Sequence, residues 1–270
     1  MARINAEALI LATRNWGTAD KMVTLFTREH GIVQAVAFGC RRPKSPLAAG
    51  MQMFSYLDVE FTEGTRVWTV RQCTLKEHWH RLGEDLASMA YGSFIAELTL
   101  ALIPEHEPGP DTFDRLLQIF RAFEERNPRL VALAAAYQLL VLSGLGLHLE
   151  SCVHCGKESE DLMCIDINEG GALCRNCCTE GARPFSPALH DLLKKFLLLE
   201  WKRMVPIIKE PEWGNCRTEA ANDKTSESAP KISIKKDELM QAEELLLTYL
   251  HSLLGRPLRS LAFIAQLAKI

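Results

Sequence analysis

Through the first 80 residues, apolar and polar positions come in short β-type runs closed by turn residues. Residues 8–14 (ALILATR) form one run and turn at Asn15-Trp16-Gly17. Residues 22–26 (MVTLF) form a second, closed by His30-Gly31. Residues 32–38 (IVQAVAF) lead into the basic loop Cys40-Arg41-Arg42-Pro43-Lys44-Ser45-Pro46. Residues 54–61 (FSYLDVEF) alternate with period two and turn at Glu63-Gly64, and residues 66–73 (RVWTVRQC) form the fifth run. Five short strands without an intervening helix predict a small closed antiparallel barrel, of which the five-stranded OB-fold is the commonest form.

From about Gly83 the period becomes helical. Leu86, Ala90, Phe94, Leu98 and Leu102 recur at i, i+4, and Pro104, Pro108 and Pro110 mark a break. A second helix is expected from Asp111, placed as its N-cap, through Phe113, Leu116, Leu117, Phe120 and Phe123. A third starts with Pro128 at its first position and runs to a stop at Gly144 or Gly146. A cysteine-rich stretch interrupts the helical pattern at 151–181. The pattern resumes at Ser186-Pro187, runs to about Met204, and ends in a helix pair over 237–254 and 259–267. Residues 209–235 are polar and poor in aliphatic side chains, so they are expected to be a disordered insertion. The predicted class is α+β. A DNA-contacting barrel occupies 1–80 and the first part of a helical domain 81–150. A cysteine module follows at 151–181, and the rest of the helical domain at 182–270.

Composition narrows the function class. A chain of 270 residues with 47% hydrophobic and 24% charged residues is that of a globular protein with a substantial core. No apolar run reaches the roughly 20 residues of a membrane span, and the first residues lack a leader's apolar core, so a cytoplasmic, nucleoid-associated protein without membrane contact is expected. The net charge of −3 hides an asymmetry. Residues 1–80 carry ten Lys and Arg against seven Asp and Glu, whereas residues 81–150 carry five against ten. A polyanionic partner would therefore favour the N-terminal part.

Nine cysteines, an odd number in a large chain, do not look like a secreted disulfide framework, and Cys152, Cys155, Cys174, Cys177 and Cys178 all fall within a short window. Cys152-x2-Cys155 and Cys174-x2-Cys177 have the spacing of a four-cysteine Zn2+ site. Four thiolates leave no position for water or substrate, so one structural ion per chain is expected. Cys178 and Cys164 are weaker candidates, and Cys178 could compete with Cys177. Arg14, Lys21, Arg28, Arg41, Arg42 and Lys44 fall at strand ends or in one loop and are the candidate DNA contacts. Trp16, Phe38 and Trp68 could stack on bases, although core placement is the expectation for aromatics of a small barrel. His78 and His80 would share a strand face without a third ligand, and Glu84-Asp85 and Glu124-Glu125 read as helix-surface pairs. Cys40 and Cys73 read as buried small hydrophobes. No phosphate loop, dinucleotide fingerprint or HExxH is present, and nothing pairs a nucleophile with a base, so an enzyme is not expected.

Several strings, in their order and spacing, resemble the RecO family of bacterial recombination mediators. They are 20–31 (DKMVTLFTREHG), 39–45 (GCRRPKS), 84–86 with Ala90-Tyr91, Gly144-Leu145-Gly146 leading into 152–156 (CVHCG), and 258–261 (LRSL). The resemblance implies an N-terminal OB-fold, a helical domain and a zinc module. It further implies binding of single- and double-stranded DNA, annealing of complementary strands, and action in the RecF pathway. There RecR and RecO help RecA displace single-strand-binding protein (SSB). It assigns DNA contacts to Lys21, Arg28, Arg41, Arg42 and Lys44, and zinc ligands to Cys152, Cys155, Cys174 and Cys177. The rival is a zinc-stabilised, protein-binding scaffold with no direct DNA contact.

Overall fold

A computed structural model describes residues 3–158, 161–201 and 234–267. The insertion expected at 209–235 thus falls, up to residue 233, outside the described residues. Five strands form a closed barrel: β1 (Arg3–Trp16), β2 (Asp20–Thr27), β3 (Gly31–Ala37), β4 (Ser55–Thr62) and β5 (Trp68–His78), in the order β1-β2-β3-β5-β4. The pairs are antiparallel except one. Closure is made by a parallel contact of β3 with β5, Ala35 opposite Trp68 and Val36 opposite Thr69, so the barrel is not wholly antiparallel as expected. Inside it Ala8, Ile10, Val23, Leu25, Val33, Ala35, Leu57, Val59 and Phe61 form a closed apolar core.

The helices are α1 (His80–Glu84), α2 (Leu86–Leu102), α3 (Pro110–Glu125), α4 (Pro128–Leu142), α5 (Pro187–Leu197), α6 (Lys236–Leu254) and α7 (Arg259–Leu267). Among the described residues, no helix is long and apolar enough to cross a membrane. Helix starts follow local chemistry. Asn127 caps α4 by accepting from the Arg129 and Leu130 amides, and Ser186 caps α5 by accepting from Leu189. Asp111 is not the N-cap of α3. That position belongs to Gly109, because Pro110 takes the first helical position, where a missing N–H costs nothing. Asp85 is not a surface acid either: it caps α2, accepting from the Ser88 amide at 2.8 Å. The α2 stripe is buried at Ala90, Phe94 and Leu98, but Leu86 in the first turn faces water. α5 stops at Leu197, short of Met204. Helix α4 lies at the centre, with every residue from Val131 to Leu140 buried. The start of α7 is held by Glu97 of α2, which accepts from the Arg259 and Ser260 amides and the Ser260 hydroxyl.

The barrel and helices share a second core. Leu9, Leu11, Phe26, Ile32, Phe54 and Tyr56 on the barrel's outside pack with Phe94, Phe113, Phe120 and the α4 residues. At its edge the Glu7 carboxylate accepts from Arg28 Nε at 2.6 Å, from the Tyr56 hydroxyl at 2.7 Å and from Lys76 Nζ. Arg28 then reaches Asp114 of α3 with both terminal nitrogens, at 2.9 and 2.6 Å, over the Phe113 ring. Its guanidinium therefore ties barrel to helix.

Two outcomes follow. Gly31 has φ +64°, and a Cβ there would lie 2.2 Å from the Glu107 carbonyl oxygen, whereas Gly39, at φ +65°, has only the Arg42 side chain nearby at 3.6 Å. Both Gly→Ala changes incur left-handed strain of about 1 kcal/mol, and the collision adds roughly 1–3 kcal/mol at Gly31 alone. Equal shifts in denaturant midpoint would refute this account of the junction. Second, the Lys76 hydrogen bond, opposed by burial and aided by Tyr56 and Arg28, lowers Glu7 from 4.5 to about 2. Because the folded value is depressed, the stabilisation is complete above about 4.5 and is lost as pH falls toward 2. Glu7→Gln should cost on the order of 1–3 kcal/mol at pH 7, allowing for partial solvent screening. The gap from the unsubstituted protein should narrow below pH 4.5 in acid-denaturation curves.

Candidate metal centre and nucleic-acid surface

The cysteine stretch folds as a module between α4 and α5, built on a three-stranded sheet, β6 (Leu162–Asp166), β7 (Gly171–Cys174) and β8 (Arg183–Pro184), in the order β7-β6-β8. Periodicity did not reveal these short strands. Each CxxC makes a tight turn. The Gly156 amide donates to the Cys152 carbonyl at 2.8 Å, with Gly156 at φ +71°, and the Cys177 amide donates to the Cys174 carbonyl at 3.0 Å. The Val153 amide bonds the Ala172 carbonyl at 3.0 Å, which sets the first turn against the end of β7.

The four sulfurs of Cys152, Cys155, Cys174 and Cys177 all lie within 4.8 Å of one another, with Cys155 and Cys174 at 3.6 Å. A tetrahedral ion with metal–sulfur bonds of about 2.3 Å requires sulfurs roughly 3.8 Å apart, so the set can hold a metal ion. The thiols also show why a cation suits them. Burial pushes Cys152 up, but the backbone amides of Cys174, Cys155 and His154 outweigh it and hold the thiol near 6. Hydrogen bonds with Cys155 and Cys174 push Cys177 up to about 12. Four anions cannot gather at this spacing without a positive charge between them. Cys152 and Cys174 are buried, and Cys155 is exposed. Cys164 and Cys178 are outside this set and lie next to each other, with Cα atoms 6.0 Å apart.

The barrel places the basic candidates at opposite ends. Trp16 pairs with Asp20, and Thr27 is seven residues further along β2, roughly 23 Å at 3.3 Å per residue. At the Trp16 end, the Asp20 carboxylate accepts from the Gly39 amide at 2.6 Å. The Ala19 carbonyl accepts from the Arg41 amide at 2.9 Å, and the Thr18 carbonyl from the Arg41 guanidinium at 3.4 Å. The β1–β2 turn and the loop after β3 are thereby fastened together. Arg41, Arg42 and Lys44 stand in that loop and Arg14 near the end of β1, all exposed. No ion pair among the described residues engages these four. Lys21, half-buried, donates to the Met51 carbonyl at 2.6 Å and so braces the loop from below. Arg28 lies at the other end, between Glu7 and Asp114.

The aromatics divide in the same way. Trp68 is core, its ring 5.4 Å from those of Phe61 and His30. Trp16 and Phe38, expected in the core, are instead 47% and 58% exposed at the basic end. His78 ends β5 and His80 begins α1, so they do not share a strand face; their rings meet edge to face at 5.9 Å. The Glu124 carboxylate accepts from the Arg81 amide at 2.9 Å and is a tie between helices. Cys40 is buried and Cys73 half-buried, and burial raises both thiols above their usual range. An apolar groove of about 850 Å³ runs between α2, α4, α6 and α7, with Arg129, Arg256 and Arg259 among its lining.

Comparison with known proteins decides the family. The sequence model described as "Recombination protein O N terminal" matches residues 1–79, and "Recombination protein O C terminal" matches 83–210. The DNA repair protein RecO of Alkaliphilus metalliredigens is 33% identical over 194 residues, 71% of this chain and 78% of that protein. That of Symbiobacterium thermophilum is 36% identical over 191 residues, 67% and 74% of the two chains. That of Bacillus pumilus is 31% identical over 212 residues, 77% and 82%. The chain belongs to the RecO family. In this RecO-family chain the first match covers the barrel up to the residue before α1. The second spans α2 to α5 and takes in the cysteine module.

Metal analysis of freshly purified, reduced protein should find about one tightly held ion per chain. Cys174→Ser should lower the melting temperature and unfold by several kcal/mol more easily, because ion binding contributes directly to folding. Metal-free protein with an unchanged melting temperature would overturn the assignment.

Proposed function

We propose that this protein is a DNA-binding recombination mediator that acts without catalysis. It binds single- and double-stranded DNA through the basic end of its barrel and anneals complementary strands. With RecR it assists RecA loading onto strands coated by SSB. The observation that carries the reading is the cationic end of the barrel: Arg14, Arg41, Arg42 and Lys44 are all exposed, and the β1–β2 turn and the loop after β3 are clamped there by the Asp20–Gly39 and Ala19–Arg41 hydrogen bonds. Membership of a DNA repair family supports it. Lys21 and Arg28 have a different part, since their donors already serve Met51, Glu7 and Asp114. Lys21 supports the loop that carries Arg41, Arg42 and Lys44, and Arg28 ties the far end of the barrel to α3.

Cations at this end would neutralise phosphates on two strands at once. Repulsion between the strands falls, and bases held close can pair, which needs no proton transfer or nucleophile. The bound ion is assigned as Zn2+, because four cysteine thiolates at tetrahedral spacing suit that soft cation, and a closed four-sulfur shell gives it a structural role. A protein working on chromosomal DNA would reside in the cytoplasm, at the nucleoid.

Replacing Arg41, Arg42 and Lys44 together by Ala should weaken DNA binding for every sequence tried. Each phosphate contact releases roughly 0.7 counterion from a single strand, so the slope of log affinity against log salt should fall by about two. The melting temperature should hold, since all three side chains are exposed. Wild-type affinity and slope would remove this surface from the DNA contact. DNA binding that is absent or indifferent to salt in the unsubstituted protein would favour a protein-binding scaffold.

A further inference from the structure

Every aromatic side chain within residues 1–80 is at most 6% exposed except two. Phe26, Phe54, Tyr56, Phe61, Trp68 and Trp79 are taken up by the two cores, while Trp16 and Phe38 stand 47% and 58% exposed. Large apolar rings in water carry a free-energy cost of roughly 1–2 kcal/mol against burial, so a pair at one barrel end stands out against an otherwise well-buried set. Their position is also specific. Trp16 closes β1 opposite Asp20, and the Asp20 carboxylate holds the amide of Gly39, the residue after Phe38. The two rings therefore sit on segments pinned to each other. Arg14, two residues before Trp16 and so on the same strand face, places its guanidinium 5.2 Å from the indole centroid. Arg41, Arg42 and Lys44 lie within six residues after Phe38.

Rings of this kind among cations fit a nucleic acid whose bases are open to contact. A phosphate contact hardly distinguishes a single strand from a duplex, because both offer the same backbone. A ring stacks only on a base face that is free, and in a duplex those faces are covered by neighbouring pairs. We propose that Trp16 and Phe38 are stacking platforms for unpaired bases, so that the basic end of the barrel prefers single-stranded to duplex DNA. This rests on the DNA-binding reading above and deepens it, by dividing the surface into cations that give affinity and rings that give strand-state preference.

The test pairs ring variants with an altered probe. Trp16→Ala and Phe38→Ala should each bind a single-stranded oligonucleotide about tenfold more weakly, and a duplex of the same length within about twofold of the unsubstituted protein. Their salt slopes should stay at the wild-type value, because no cation is lost. Trp16→Phe should retain most of the affinity. An oligonucleotide of abasic sites keeps every phosphate and lacks every base; the unsubstituted protein should bind it more weakly than the normal strand, and the double Ala variant should bind the two alike. Loss of single-strand and duplex binding in equal measure would overturn the proposal. So would equal binding of abasic and normal strands by the unsubstituted protein, a measurement that requires no variant to fold. The Arg41, Arg42, Lys44 triple variant separates the two levels. If it weakens DNA binding while the ring variants do not, stacking fails and the DNA surface stands; if it leaves affinity and slope unchanged, the surface itself is elsewhere.

Discussion

Between Ala6 and Leu11 the first strand has almost no solvent face. Ala6, Ala8 and Ile10 point into the barrel, and Leu9 and Leu11 point outward beneath the helices. Each of those leucines contributes roughly 1.5–3 kcal/mol by burial, and neither core can be completed without this strand. Glu7 shares the outward face at the edge of this core, where a half-buried carboxylate without partners would be costly. Arg28, Tyr56 and Lys76 satisfy it, and Arg28 extends the tie to Asp114. Barrel and helices are consequently locked in one orientation, with the β2–β3 turn against the start of α3 and the β1–β2 turn facing away.

That orientation distributes charge. The start of α3 and the segment before it lie against the Arg28 end of the barrel, where the Glu107 backbone meets Gly31 and the Asp114 carboxylate takes the Arg28 guanidinium. The rim of Arg14, Arg41, Arg42 and Lys44 is at the opposite end, away from that compensation. In the proposed function the overall charge of −3 is no obstacle, because a strand of DNA responds to the local field within about a Debye length and not to the total.

Much of this was legible in the sequence, and the exceptions share a cause. β-rich runs closed by turn residues, one of them alternating with period two, located all five barrel strands, and the two CxxC pairs located the metal cluster, because these signals are local. What escaped depends on distant partners. Nothing near Ala35 announces a parallel partner at Trp68. Arg28 reads as a free basic residue until Asp114, 86 positions away, is beside it. Cys164 and Cys178 look like spare ligands until β6 brings them together. Trp16 and Phe38 read as core by composition, and become surface only because the strands carry them past the end of the barrel wall.

An annealing surface faces a constraint that a strand-coating one does not: it must gather a strand and then give up its bases. Proteins that coat single strands stack many bases along each domain, which shields the edges that pairing needs. Two exposed rings beside four cations make a different compromise. In the proposed function the cations would lower repulsion along the backbone and leave the bases untouched, while the rings would hold about two bases and so register that the strand is unpaired. The flanking bases stay available to a second strand. On the proposed reading, once they pair, the stacked bases gain more from the growing duplex than from Trp16 and Phe38, and the product keeps only the phosphate contacts that any duplex offers.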